Sequence, residues 1–341
     1  MASSAASSFS TLEHVRQPGH PVLVRCPARL SLDDACAWLA SAAPALRSGL
    51  DEHGSLYLRG LPVATTQDFA RVRDVLLHER AQYQEKATPR SSFGNDVFSS
   101  TDLPAAQPIR LHNENSYTMN FPGILLFCAL VPPAVGGATP VADCRAVLRN
   151  LPEDLAGRFR AQGWRLNRTY NENISLNWET AFSTSSRQEV ERYCASNHIS
   201  WVWREDGTLS TSQQRSAVIT HPRTGEESWF NHVAFWNEHA LDPDVHEVLV
   251  DEFGPSGLPF NTTFGDGTPL SAADFAALDA AYRAAFTRET WQLGDILVVD
   301  NILAAHGREP FEGERRIAVA MGEPTDLADC RPARPIATFA S

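Results

Sequence analysis

This sequence is short of positive charge. Lys and Arg number 29 against 41 Asp and Glu, a formal net charge of −12, and the isoelectric point is about 5.4. Nucleic acid and anionic membrane both need a basic face, so neither is expected as a partner. The one arginine-rich stretch, Arg158, Arg160, Arg165 and Arg168, reads as a solvated helix face and the strand after it. Cysteine chemistry is also missing. The six cysteines, at 26, 36, 128, 144, 194 and 330, contain no CxxC and no zinc-ligand spacing, which fits thiols in a reducing compartment. Cys128 lies in an apolar run and reads as a small buried hydrophobe. No stretch approaches the roughly 18 uninterrupted apolar residues of a membrane span. The opening Met1 to Ser8 segment has neither the basic start nor the apolar run of a signal peptide, so the expectation is a cytoplasmic protein. There is no GxSxG elbow, P-loop or GxGxxG in a strand–helix setting, which removes support for hydrolase and nucleotide-binding readings.

What is present is an ordinary globular composition. The chain has 341 residues, 43% hydrophobic and 21% charged, with no internal repeat. Small, polar or Pro-containing residues at 1–15 and 326–341 read as frayed tails around a single domain at 16–325. Helical spacing marks 31–46, with Ser31 as N-cap, 66–79, 145–148, 152–162, 187–197 and 272–287. Strand patterns mark 55–59, the fully apolar 123–130 and 293–299. Residues 86–108 have no period and read as a long loop. Short strands between turn signals, with helices flanking or inserted, predict a mainly β barrel or sandwich with added helices.

Two blocks carry the chemistry. The first is His112-Asn113-Glu114, whose histidine and carboxylate share one face if the segment is a strand. The second runs from the apolar strand through Asp300-Asn301 to His306-Gly307-Arg308, then to Arg315-Arg316 and Ile317 to Met321. Two imidazoles and one carboxylate form a facial set on an octahedral metal with three positions open, an arrangement suited to Fe(II). In the last strand, alternation puts Arg316, Ala318 and Ala320 on one face and Ile317, Val319 and Met321 on the other. An arginine among small residues is the side chain for bidentate capture of a buried carboxylate.

These residues carry a resemblance. Leu111 to Tyr117, Gly136 to Asp143, and Asp300 through Phe311 to Ile317 resemble the taurine dioxygenase/TfdA-like branch of Fe(II)/2-oxoglutarate-dependent oxygenases, as does, more weakly, Leu58 to Pro62. Within that branch the chain is most similar to clavaminate synthase-like and SyrP-like amino-acid hydroxylases. The resemblance covers residues 50–323 and implies a distorted jelly roll, the double-stranded β-helix. It implies His112, Glu114 and His306 as iron ligands, Thr139 and Arg316 as the hold on the far carboxylate of 2-oxoglutarate, and O2 as the other co-substrate.

The chain departs from the commoner pattern in carrying Glu114 where Asp is usual, and in carrying Ala320 where sulfonate-binding relatives have a second arginine. Glu114 also speaks against halogenation, which needs that carboxylate removed. The implied reaction is hydroxylation of an unactivated C–H bond, at the β-carbon of an amino acid or an amino-acid-derived intermediate of antibiotic biosynthesis. The substrate is a small molecule, free or tethered to a carrier protein. Desaturation or cyclisation by the same iron chemistry, and a binding module without turnover, are the alternatives.

Around that site, Asn115, Tyr117, Asn231 and Trp236 are candidate substrate contacts, the last two from the aromatic run Trp229 to Trp236. Asp300 is a candidate to orient a ligand histidine, and Asp143 reads as a turn cap. His198, His221, His232, His239 and His246 match no metal motif and read as scattered loop or surface residues. The segments 84–101 and 171–184 are candidate lids that exclude water.

Overall fold

A computed structural model describes residues 8–81, 85, 91–100, 103–172, 175–254 and 257–334. Its centre is built from β1 (Ser55–Arg59), β2 (Ile109–His112), β3 (Asn120–Val131), β4 (Val141–Asp143), β5 (Trp164–Tyr170), β6 (Ile296–Asp300), β7 (Ala304–Arg308) and β8 (Arg316–Asp326). β1, β6, β3 and β8 lie side by side in that order, all antiparallel, within an eight-stranded sheet. Phe286–Thr287, β4, β7 and β2 form a four-stranded sheet. The two sheets enclose one apolar cluster, with Tyr57, Leu125, Phe127, Leu297, Ile317 and Val319 from the larger and Val141 and Ala304 from the smaller. The architecture is the mainly β jelly roll with flanking helices that the sequence predicts.

Burial on both faces explains the unbroken apolar run of β3. Leu125, Phe127 and Ala129 turn into the space between the sheets, whereas Leu126, Cys128 and Leu130 turn outwards beneath the helices α1 (Leu32–His53) and α2 (Thr66–Leu76). Each fully buried leucine of this kind contributes about 1.5–3 kcal/mol. Ser31 caps α1 as expected, and Thr65 with Asp68 forms a capping box on α2. α1 continues past the predicted end to Gly54, whose φ of 72° closes it.

A second four-stranded sheet, Ile199–Trp203, Leu209–Arg215, β5 and Phe260–Phe264, is inserted between β4 and the strand Phe286–Thr287 of the smaller sheet. Its Trp164, Leu166 and Phe264 pack with Ala142 and Ala305, the outward residues of the smaller sheet. The helix Pro243–Phe253 escaped the periodicity reading, although Asp242 as N-cap and Pro243 in the first turn mark its start.

The segments read as tails are partly packed: Phe9 is buried near one end, and Leu327 and Cys330 near the other. Residues 1–7 and 335–341 lie outside the described residues. So do parts of both candidate lids, at 84, 86–90, 101 and 173–174. The described part of the first includes the hairpin Ser92–Gly94 with Val97–Ser99, paired to β8, and of the second the helix Trp178–Phe182.

Candidate metal centre

His112 ends β2 and sits directly opposite His306 on β7. Together with Glu114 they place one ligand atom each within 4.8 Å of one another, and all three residues are buried. The His306 Nε2 to Glu114 Oε2 distance is 3.6 Å. An ion lying about 2.0–2.2 Å from two imidazole nitrogens and a carboxylate oxygen needs spacing of this order, and the donor set is that of an Fe(II) facial site. His112 Nδ1 donates to the Arg110 carbonyl at 2.9 Å, which leaves Nε2 as the ligating nitrogen. His306 Nδ1 is buried with no hydrogen-bond partner among the described residues.

Glu114 does not take its direction from strand alternation, because β2 stops at His112. A side chain from the second block sets it instead. Asn301 Oδ1 accepts from the Glu114 N–H at 2.7 Å, and its Nδ2 donates to the carbonyls of Glu114 and Pro122, both at 2.8 Å. Asn113 returns the contact by donating to the Asn301 carbonyl at 2.7 Å. Asn301 is fully buried, so these bonds are shielded from water.

Asp300, its neighbour, does not reach a ligand histidine. It accepts from the backbone of Ile302 and Leu303 and pairs with His221 at 3.1 Å. It turns the chain between β6 and β7 and leaves orientation of the ligand loop to Asn301.

The arginine expected at Thr139 is also corrected. Arg316 is exposed, whereas Arg315 Nη2 donates to Thr139 Oγ1 at 3.2 Å. Arg315 further donates to the Gly137 carbonyl at 2.9 Å and to Ser100 Oγ at 3.1 Å. The small-residue face of β8, Ala318 and Ala320, packs under α1 and α2, and the Ile317 and Val319 face looks between the sheets. Arg315 belongs with the latter. Burial, then the neighbouring Arg308, brings its pKa down to about 10. Gly137, at φ 67°, makes room for it: a Cβ there would stand 3.2 Å from Arg315 Cδ and closer still to Pro133 and Phe311. Four residues after Arg315 comes Val319, so the position of a second arginine is apolar under either assignment.

An aromatic wall adjoins the ligands. Phe235 stacks on His112 at 4.6 Å, His232 stacks on Trp236 at 4.2 Å, and Trp236 stacks on Phe260 at 4.6 Å. The Tyr117 ring lies 5.1 Å from Trp236 and 5.3 Å from His232. Tyr117 and Trp236 thus both lie against His232, whose ring is 5.1 Å from that of His112. Asn115 is buried at φ 52°. Asn231 is fully buried, with its Nδ2 donating to the Ala217 carbonyl and its Oδ1 accepting from the Val233 N–H.

His232 and His221 are buried rather than scattered on the surface. Burial, reinforced by His112, holds the His232 imidazole well below its ordinary pKa, and its Nδ1 shares a 2.6 Å hydrogen bond with Ser116 Oγ. Arg168 is likewise buried, over the rings of Tyr170 and Phe260 at 4.1 and 4.9 Å, instead of on a solvated face. Its position on a strand four residues from the buried Trp164 was the available signal.

The family pattern "Taurine catabolism dioxygenase TauD, TfdA family" matches residues 17–321. A dapdiamide synthesis protein, DdaC, of Enterobacter agglomerans is 38% identical over 275 residues, 81% of this chain and 84% of that protein. A clavaminate synthase-like protein of Arabidopsis thaliana is 26% identical over 290 residues, 81% and 83% of the two chains. Among solved structures, PvcB of Pseudomonas aeruginosa superposes with a TM-score of 0.52 at 15% identity, covering 94% of each chain. A taurine dioxygenase from Burkholderia xenovorans gives 0.52 at 14% identity over 93% and 92%. These two likenesses establish the fold. No described helix is long and apolar enough to cross a membrane. The chain belongs to the TauD/TfdA family and is an Fe(II)/2-oxoglutarate-dependent dioxygenase.

Proposed function

We propose that His112, Glu114 and His306 hold the iron, that Thr139 and Arg315 hold the far carboxylate of 2-oxoglutarate, and that the enzyme hydroxylates an amino acid or amino-acid-derived small molecule at its β-carbon. The observation that carries the metal assignment is the convergence of three buried ligand atoms from two segments, β2 with its following turn and β7. Bound there, Fe(II) supplies the oxidative chemistry by which 2-oxoglutarate and O2 become succinate and CO2 while one oxygen atom enters the substrate.

The chain's own residues do the positioning. Arg110 fixes the His112 tautomer, and Asn301 fixes the Glu114 backbone. Arg315, already seated by Gly137 and Ser100, turns a guanidinium edge towards Thr139. Phe235, His232, Trp236 and Tyr117 wall the ligands with apolar faces that exclude water.

The substrate class is supported by two observations. The relative at 38% identity is named for dapdiamide synthesis, which favours an amino-acid-derived natural-product intermediate. The apolar Val319 and Ala320 disfavour a small sulfonate. The intact ligand set favours turnover over a binding module. The test is incubation of enzyme, Fe(II) and 2-oxoglutarate with free amino acids and, separately, with aminoacyl carrier protein. A mass gain of one oxygen is the expected result; gain only on a sulfonate or an aryloxyacetate overturns the substrate class.

A further inference from the structure

Two buried hydrogen-bond donors on the inner side of the larger sheet have no partner among the described residues: the Tyr57 hydroxyl and the Trp291 indole N–H. Tyr57 is 0% and Trp291 4% exposed, and their rings lie 4.9 Å apart. A buried donor left unmade costs about 1–3 kcal/mol. Two of them side by side in an apolar cluster call for an acceptor that no described residue provides.

Their neighbours show where that acceptor lies. Tyr57 and Trp291 share one cluster with Phe127, Val141 and Ile317. The Phe127 ring is 5.0 Å from the His306 ring. Val141 follows Thr139 by two residues, and Ile317 follows Arg315 by two. The orphaned donors therefore belong to a cluster that touches a metal ligand through Phe127 and includes the strands that follow Thr139 and Arg315.

Arg315 and Tyr57 are electrostatic neighbours, each acting on the other's ionisation. Burial pushes the Tyr57 phenol well above its ordinary pKa, so it keeps the proton it would donate. The nearby acids are engaged elsewhere: Asp295 pairs with Arg59 at 2.8 Å, and Glu289 pairs with His20 at 3.0 Å and with Arg59 at 3.4 Å.

We propose that Tyr57 and Trp291 donate hydrogen bonds to the far carboxylate of 2-oxoglutarate, beside Arg315 and Thr139. A carboxylate offers about four acceptor directions, and one guanidinium with three neutral donors fills them. The inference rests on the reading of Thr139 and Arg315 as that carboxylate's site. Its consequence is selectivity: a 2-oxo acid without the far carboxylate leaves the phenol and the indole unsatisfied.

The test is an anaerobic equilibrium titration of the Fe(II) enzyme with 2-oxoglutarate and with 2-oxovalerate, which carries a methyl group in place of the far carboxylate. Both chelate through the same 2-oxo acid end, and binding is read from the visible charge-transfer band. Tyr57→Phe and Trp291→Phe each weaken 2-oxoglutarate about 10-fold or more and leave 2-oxovalerate within about twofold. Unchanged 2-oxoglutarate binding, or equal weakening of both ligands, overturns the proposal. If Trp291→Phe does not fold, Tyr57→Phe decides alone, since it removes a single oxygen atom. Arg315→Gln separates the two levels. Should it leave 2-oxoglutarate binding unchanged, the carboxylate site itself falls; should it weaken binding while Tyr57→Phe does not, the inference about Tyr57 and Trp291 falls.

Discussion

This protein buries polar groups in two contrasting ways. Arg215 is fully matched: its guanidinium donates to the carbonyls of Tyr117, Gln214 and Asn197 and to the Gln213 amide oxygen. Glu85, beside it, accepts from Tyr193 and Gln213. Between the two sheets the opposite holds, with the Tyr57 hydroxyl, the Trp291 N–H and His306 Nδ1 all buried and without a partner among the described residues. A matched network holds elements in place. An unmatched one is tolerated where a ligand completes it, because each open group otherwise costs stability. On the proposed reading the space between the sheets takes the ligands, and the Glu85–Arg215 network holds the elements around it.

The sharpest way to break the comparison is to remove a ligand. His112→Ala, Glu114→Ala and His306→Ala each abolish succinate formation and weaken iron by more than about 100-fold, since loss of a residue that merely supports a ligand already costs 10–100-fold. Iron content and coupled 2-oxoglutarate turnover measure both. Next comes Arg315→Gln, which weakens 2-oxoglutarate about 10-fold or more by removing a charge-assisted donor. Arg316→Gln, on the exposed neighbour, stays within about twofold. Equal effects of the two substitutions contradict the placement of Arg315.

Asn301→Ala lies between site and scaffold. It leaves the Glu114 N–H without its acceptor, so it lowers unfolding stability by about 1–3 kcal/mol and iron affinity by about 10-fold. Loss of stability with unchanged iron affinity makes Asn301 structural only.

The smallest effect belongs to the scaffold. Burial raises the Glu85 pKa above its ordinary 4.5, despite Arg168 and Arg215. Its folded-state pKa is thus above its unfolded one, so its contribution to stability is fully present below 4.5 and is lost as pH rises through the folded value. Glu85→Gln lacks that loss. The Tm of the variant minus that of the wild type therefore grows as pH is raised from about 4.5 to 7.5, and a gap that is flat or shrinks contradicts the assignment.

Much of this was legible in the sequence because metal chemistry restricts residue types. His112, Glu114 and His306 stand out by identity and order, and β3 by its unbroken apolar run. What alternation does not tell is which of two buried faces looks at the site. Along β8 both faces are apolar, one under helices and one between the sheets, and alternation groups Arg316 with Ala318 and Ala320, the residues under the helices. Asn301, His232 and Glu85 act through tertiary contacts with residues far off in the chain, for which a local pattern carries no mark. Asp300 drew attention as a charge, yet its amide neighbour makes the contact that matters to Glu114.

The most direct test of the metal site is an anaerobic titration of Fe(II) and 2-oxoglutarate into the wild type and His306→Ala, followed in the visible region. The account predicts a weak charge-transfer band that saturates at one iron per chain in the wild type and is absent from His306→Ala at the same concentrations. A band of wild-type strength and affinity in His306→Ala contradicts it.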